Sequence, residues 1–489
     1  MRHFSISVSC IIAIAFLFYG RQIFNKPLQP GPAGRIDSLM NAVYQHGQFT
    51  GAVLVASHDK IIYEKAFGFA DRERQRPFTL DTREYIGSIS KQMTAMGIMI
   101  LHDRGELRYD QPVRDFFPEL PVCMQPVTIR NLLYHTSGLA VFDDFPNMTE
   151  QDVFKILLAQ KELHFPPGEK FEYCNAGYSL LGMLIEKISG QTLNGFLQAN
   201  LFAPLGMRHT LVTENGHPDT ARAIGYTLFG AINNYDTYMG GNASVVSTVG
   251  DLYLWDEAMA KHRLVSRKTQ AEALTPSSKV TGNRALVLKD PMFGDKSYGF
   301  GLWLASRDGG QDTWHDGAFS GYTAYNERIT PGETVIAEVS NLRGAPLYEI
   351  RQAIINILKG RPYVLPKLSG AMWLDKTIKT SGVDSAVSAY LRLYQSGDPD
   401  YEFSEAALNS YAYILLRAGR VQEAIKVFQL NASLYPNSFN VYDSLADGYE
   451  KAGDKAAALA TCKKALAIDP KSTYMQQRIA SLEKHFQHQ

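Results

Sequence analysis

The chain has 489 residues, more than a single domain usually holds, and its 45% hydrophobic and 20% charged residues are ordinary globular material. Lysine plus arginine (49) balances aspartate plus glutamate (49), which removes any electrostatic case for nucleic acid. The four cysteines, Cys10, Cys123, Cys174 and Cys462, are too scattered for a disulfide framework or a metal-ligand spacing.

In chain order, Arg2 and His3 precede an apolar run over 8–19, followed by Arg21, Lys26 and the Pro30-Gly31-Pro32 segment. Residues 1–30 therefore read as a signal peptide or an N-terminal membrane anchor; the run is shorter than the roughly 20 residues of a comfortable span. Phe18 and Gly20 make a poor cleavage site, so both readings stand. Either one places the body of the protein outside the cytoplasm, as a periplasmic, secreted or membrane-anchored protein.

Residues 35–48 have helical spacing, and 51–57 and 60–71 read as paired strands. The next stretch, Ile86-Gly87-Ser88-Ile89-Ser90-Lys91, runs into a segment over 92–101 that is apolar nearly all round and stops at Asp103-Arg104-Gly105. That predicts a buried helix closed by glycine, with Ser88 at its N-terminal end. Lys91, three positions on, shares a helix face with Ser88. A hydroxyl beside an amine in an apolar wall makes a nucleophile, because burial lowers a lysine's pKa and lets it take the serine proton. Two other Ser-x-x-Lys copies exist. Ser57–Lys60 falls at an expected hairpin tip and Ser481–Lys484 in a polar helix, and neither has a wall to desolvate its lysine.

Short helices are expected at 127–133 and 151–159, and a longer one over 175–189, after the polar segment Phe171-Glu172-Tyr173-Cys174-Asn175. The glycine-rich turn at 240–244 precedes a helix over 249–261. Short alternating strands follow at 299–304, 312–315, 321–325 and 333–340, then a helix over 347–358. Strands at both ends of this region, with helices between them, imply an α+β fold in which early and late strands share one antiparallel sheet flanked by helices.

Residues 363–382 read as a linker, and 383–489 as an all-α module. Gly419, Ala424, Phe428 and Pro436 recur 34 residues later as Gly453, Ala458, Cys462 and Pro470, and Leu408, Ala412 and Leu415 recur as Tyr442, Ala446 and Tyr449. This resembles tetratricopeptide repeats, which imply a protein partner.

Ser88-x-x-Lys91, Tyr173-x-Asn175 and His315-x-Gly317 occur in this order, with Leu-Leu-Tyr-His-Thr-Ser-Gly-Leu at 132–139 and Ser247-Thr248-x-x-Asp251-Leu252 between them. Together they resemble the serine β-lactamase and penicillin-binding-protein-like hydrolases, closest to the branch of class C β-lactamases, D-alanyl-D-alanine carboxypeptidases and esterases. The resemblance covers roughly residues 35–360, within a hydrolase domain expected over 31–362. It implies catalytic Ser88, Lys91 and Tyr173, with Ser88 forming an acyl-enzyme, Lys91 as base and Tyr173 relaying a proton. It also implies substrate contacts at Asn175, His315, Gly317 and Ala318, with the Ser88 and Ala318 N–H groups as oxyanion hole. Asn175 has a second reading as a helix N-cap, and His135 in its turn reads as structural. No metal or cofactor is called for. The implied substrate is a small ester or a D-amino-acid-type amide. The rival reading is an inactive hydrolase fold whose repeats carry the biology. Many β-lactamases of the family carry lysine-threonine-glycine where this chain has His315-Asp316-Gly317. A histidine with an ordinary pKa near 6.5 carries a conditional charge, so the expectation is a poor β-lactamase in which His315 holds a carboxylate only when protonated.

Overall fold

The structure is a computed structural model that describes residues 31–141, 148–214, 219–232, 238–307, 309–330 and 332–486. The expected signal or anchor at 1–30 lies outside the described residues, and among those no helix is long and apolar enough to cross a membrane.

The first region is built on an eight-stranded antiparallel sheet. Its strands are β1 (Gly51–Ser57), β2 (Lys60–Phe67), β3 (Leu288–Asp290), β4 (Gly294–Tyr298), β5 (Trp303–Arg307), β6 (Gly310–Phe319), β7 (Tyr322–Ile329) and β8 (Thr334–Ser340). Their order is β2-β1-β8-β7-β6-β5-β4-β3, so the early hairpin pairs with the last strand, as the strand distribution implied. β1 is buried along nearly its whole length, which explains why it reads as a continuous apolar run rather than an alternating one. The β1–β2 connection is tight: His58 and Asp59 both have positive φ, as a two-residue hairpin turn requires.

Helices α1 (Pro32–Gln45), α2 (Ser90–Asp103), α3 (Asn175–Ser189), α4 (Val249–Ala260) and α5 (Leu347–Leu358) belong to this region. Nearly all of α2 is buried, from Ser90 to Leu101, so its all-round apolar sequence marks a helix inside the core rather than on its surface. Two expected strands differ. The one at 60–71 breaks at Gly68 (φ 75°), after which Phe69–Asp71 pairs with Arg76–Pro77. Of the one at 299–304, only Trp303 and Leu304 lie in a strand, and residues 299–302 form the turn between β4 and β5. There Gly301 (φ 78°) presses so closely on α2 that a Cβ would lie 2.6 Å from the Lys91 carbonyl oxygen.

Residues 363–382 are not a plain linker. They include helix α6 (Gly370–Ser381), which buries Ala371, Leu374 and Ile378 against the helices that follow. These are α7 (Val383–Ser396), α8 (Glu405–Arg417), α9 (Val421–Leu434), α10 (Phe439–Lys451), α11 (Lys455–Ile468) and α12 (Thr473–Phe486). The α8/α9 pair recurs as α10/α11 at the same offset (439 − 405 = 455 − 421 = 34). These helices have cores of their own, and Phe229 of the first region joins one of them by packing on Tyr411, ring centroids 4.7 Å apart.

On the α5 side of the sheet lies a buried ion pair. Arg351 on α5 and Glu327 on β7 are both fully buried, and the guanidinium Nε donates to Glu327 Oε2 at 2.6 Å. Removing one partner leaves a buried charge uncompensated. Arg351→Met should therefore lower unfolding free energy by about 3–5 kcal/mol, measured by urea denaturation, and adding Glu327→Met should restore most of the loss.

Candidate active site

The chain enters the site through a strained turn. Gly87 has φ 52° and opens a short 3₁₀ turn, Gly87–Ile89, which runs directly into α2. Ser88 thus lies two residues before the α-helix proper. Its hydroxyl is half-buried, and Lys91 Nζ donates to Ser88 Oγ at 3.0 Å. Lys91 is fully buried, and its Nζ also donates to the Asn242 carbonyl at 3.0 Å.

That carbonyl is held by two helices. Thr94 on α2 donates to the Gly241 carbonyl at 2.7 Å, and the Asn242 amide donates to Ser179 Oγ on α3 at 2.8 Å. Gly241 packs so tightly that a Cβ there would lie 2.6 Å from the Tyr178 carbonyl oxygen. The glycine-rich turn at 240–242 is therefore part of the site, which its sequence did not reveal; the dense glycines before a helix were the available signal.

Strand β6 supplies the opposite wall. A Cβ on Gly317 would lie 1.9 Å from the Ile86 carbonyl oxygen, and one on Gly87 would lie 2.5 Å from the Ala318 nitrogen. These two glycines let the strand backbone lie against the nucleophile turn. Ser88 and Ala318 are thereby brought together, with Ala318 exposed at the cleft.

Tyr173 is half-buried and faces the lysine, whose Nζ lies 4.9 Å from the ring centroid. Its ring also packs on His135 at 4.2 Å and is nearly parallel to Trp303 at 6.5 Å. Asn175 is the first residue of α3, and the N-cap position belongs to Cys174, so the cap reading is displaced by one residue. His135 is structural, as its turn suggested. It is fully buried with φ 57°, and its Nδ1 accepts from the Cys174 N–H at 3.0 Å, fixing the start of α3. Burial, with the Lys91 charge adding to it, holds its pKa well below the ordinary value.

His315 corrects an expectation. It was read as a conditional cation for a substrate carboxylate, but it is 2% exposed and both ring nitrogens are engaged. Nδ1 donates to the Asp316 carbonyl at 2.6 Å, which leaves Nε2 to accept from the Tyr298 hydroxyl at 2.8 Å. Burial first, and Lys91 after it, push its pKa down to about 4. Near neutral pH it is therefore an uncharged support for Tyr298 and the Tyr173 wall. Nothing in the sequence marked Tyr298 or Trp303, which come from β4 and β5 and meet the site only through the sheet.

The resulting site joins a hydroxyl to a buried amine, with aromatic rings on one side and strand backbone on the other. The Beta-lactamase family model matches residues 34–358. Penicillin-binding protein 4* of Bacillus subtilis is 30% identical over 389 residues, 73% of this chain and 82% of that protein. Esterase EstB of Burkholderia gladioli is 36% identical over 198 residues, 36% of this chain and 50% of the esterase. Among solved structures, the octameric penicillin-binding protein homologue from Pyrococcus abyssi matches with TM-score 0.60 and 26% identity, covering 71% of this chain and 81% of that one.

Two outcomes follow from this geometry. Gly317→Ala should separate β6 from the nucleophile turn and destabilise the fold by about 1–3 kcal/mol, with loss of Ser88 reactivity, read by denaturation and by acyl-probe labelling. Stability should also fall as pH drops from the ordinary histidine value of 6.5 towards 4, because the unfolded chain binds protons that buried His315 refuses. His315→Gln should make that decline shallower in urea titrations across this window.

Proposed function

The chain belongs to the beta-lactamase family, and from that premise we propose that it is a serine hydrolase forming an acyl-enzyme at Ser88, with a small ester or a D-amino-acid-type amide as substrate. The observation that carries this reading is the 3.0 Å contact between Lys91 Nζ and Ser88 Oγ inside a buried wall. Ser88 Oγ attacks the substrate carbonyl carbon while its proton passes to the Lys91 and Tyr173 pair. The carbonyl oxygen becomes an oxyanion and takes hydrogen bonds from the Ser88 and Ala318 backbone N–H groups. Collapse of the intermediate expels the alcohol or amine with that proton. Water then attacks the acyl carbonyl and gives its proton to Tyr173; the acyl–Ser88 ester bond breaks, the acid leaves, and Ser88 Oγ takes a proton back. Asn175 and the Gly317–Ala318 backbone orient the substrate.

The neutral His315 favours uncharged substrates. A lysine on this strand would offer a permanent cation to a carboxylate, whereas a histidine with a pKa of about 4 offers none at pH 7. The Burkholderia gladioli relative, named as an esterase, fits the same preference. Penicillins, which carry a carboxylate, should acylate this site slowly.

The α8–α11 repeat supports reading residues 383–489 as a tetratricopeptide module, with a protein partner. The apolar run at 8–19 supports an extracytoplasmic location.

In a test with a fluorescent serine-reactive probe, Ser88→Ala should abolish labelling while circular dichroism stays unchanged. Lys91→Ala should slow acylation by roughly 10²–10⁴-fold. Tyr173→Phe should lower kcat on a short acyl ester more than it changes KM. Labelling that persists in Ser88→Ala would overturn the assignment.

A further inference from the structure

A cavity of about 280 Å³ lies beyond Lys91 on the inner side of β5–β7, and no step at Ser88 uses it. Its apolar wall comes from Trp255 and Met259 on α4, with Leu274 and Leu302. Trp255 is locked in place because its Nε1 donates to Gln92 Oε1 at 2.7 Å, and Gln92 is the helical neighbour of Lys91. An apolar cavity of about 150 Å³ holds benzene, so this one has room for a ring with a polar substituent.

Polar side chains of the lining include Gln92, Gln270, Gln311 and His262, and, on β7, Asn326. It stands opposite His315 in the β6–β7 ladder, is 3% exposed, and its Oδ1 has no hydrogen-bond partner among the described residues. A buried amide oxygen left without a partner costs about 1–3 kcal/mol, so a ligand N–H is the complement it lacks. The same carboxamide carries an NH₂ group that donates, which suits a partner offering N–H and C=O side by side.

Charge selects further. Arg328 in the wall is already bound by Asp256 (Nε to Oδ2, 2.7 Å) and Glu257 (NH2 to Oε1, 2.7 Å), so its charge is compensated. Glu333 adds an acid to the lining. Among the described residues the lining holds no other lysine or arginine, and its remaining basic group is the His262 imidazole, so no permanent uncompensated cation is there to hold an anion.

We propose that this cavity is a second binding site, for a small neutral primary carboxamide or lactam on an aromatic or aliphatic body. Its occupant touches Gln92 next to Lys91 and Asn326 opposite His315, and so abuts the two elements that carry the site.

The test titrates the full chain with benzamide in the Ser88→Ala background, so the result is independent of the acyl-enzyme reading. Binding is followed by calorimetry and by tryptophan fluorescence, since Trp255 and Trp314 both line the cavity. Saturable binding at least tenfold tighter than that of benzoate is expected. N326L should weaken benzamide at least tenfold while leaving toluene within twofold. Ala260 lies in the exposed last turn of α4 at the cavity lining. A260F should therefore weaken both ligands, and it keeps the test open if N326L does not fold. Absence of saturable benzamide binding, or binding that neither substitution changes, overturns the proposal.

Discussion

The site depends on one close approach: β6 lies against the turn that carries Ser88 because positions 87 and 317 have no side chain. The gap at Gly317 is too small for a Cβ, which would sit 1.9 Å from the Ile86 carbonyl. This contact and the one between Gly87 and the Ala318 nitrogen set Ala318 beside Ser88. Gly301 repeats the device against α2, where a Cβ would lie 2.6 Å from the Lys91 carbonyl oxygen, and Gly241 against α3, where it would lie 2.6 Å from the Tyr178 carbonyl oxygen. Three backbone segments thus converge around the start of α2, and the side chains left between them have little freedom. Rigid elements place reacting groups more accurately than loops do.

That crowding also sets the electrostatics. Lys91 has no solvent around it, and its charge opposes protonation of both nearby histidines. His135 and His315 answer this by staying neutral, each with a ring nitrogen accepting a hydrogen bond from a fixed donor: the Cys174 N–H for one and the Tyr298 hydroxyl for the other. Their rings serve as flat walls around Tyr173, at 4.2 and 6.2 Å between centroids. With both imidazoles neutral, neither histidine sets a competing charge against the Lys91–Ser88 pair.

Local sequence rules found the parts whose chemistry is local. The Ser88–Lys91 pair was legible because three residues of helix bring two side chains to one face, and the run over 92–101 announced the burial. The late strands were legible from alternation, and the shared sheet from their placement at both ends of the region. What stayed hidden arises between distant segments. Alternation could not show that β4 would end at Tyr298 and aim its hydroxyl at His315, since that bond depends on β5 and the Gly301 turn. Histidine's ordinary pKa misled for the same reason: burial is a property of the assembled sheet, not of the tripeptide His315-Asp316-Gly317. The segment at 363–382 reads as a linker in the sequence. The apolar spacing of Ala371, Leu374 and Ile378 in fact builds a helix that closes the next core.

The two-residue period of β6 separates tasks that would conflict on one face. His315 points towards Tyr173 and Lys91, while Asp316 points the other way, where its carboxylate lies near Tyr348 and Arg343. An aspartate on the inner face would have favoured a charged His315 and pulled Lys91 towards an ion pair, leaving less of the amine for Ser88. The outer face instead carries the Glu327–Arg351 pair and Glu338, whose carboxyl burial pushes well above the ordinary range. A shift of β6 by one residue would exchange the two sets and place a carboxylate against the nucleophile. The register is pinned against that shift by the Gly317–Ile86 contact, so the close approach that aligns Ser88 with Ala318 also keeps acid away from the lysine.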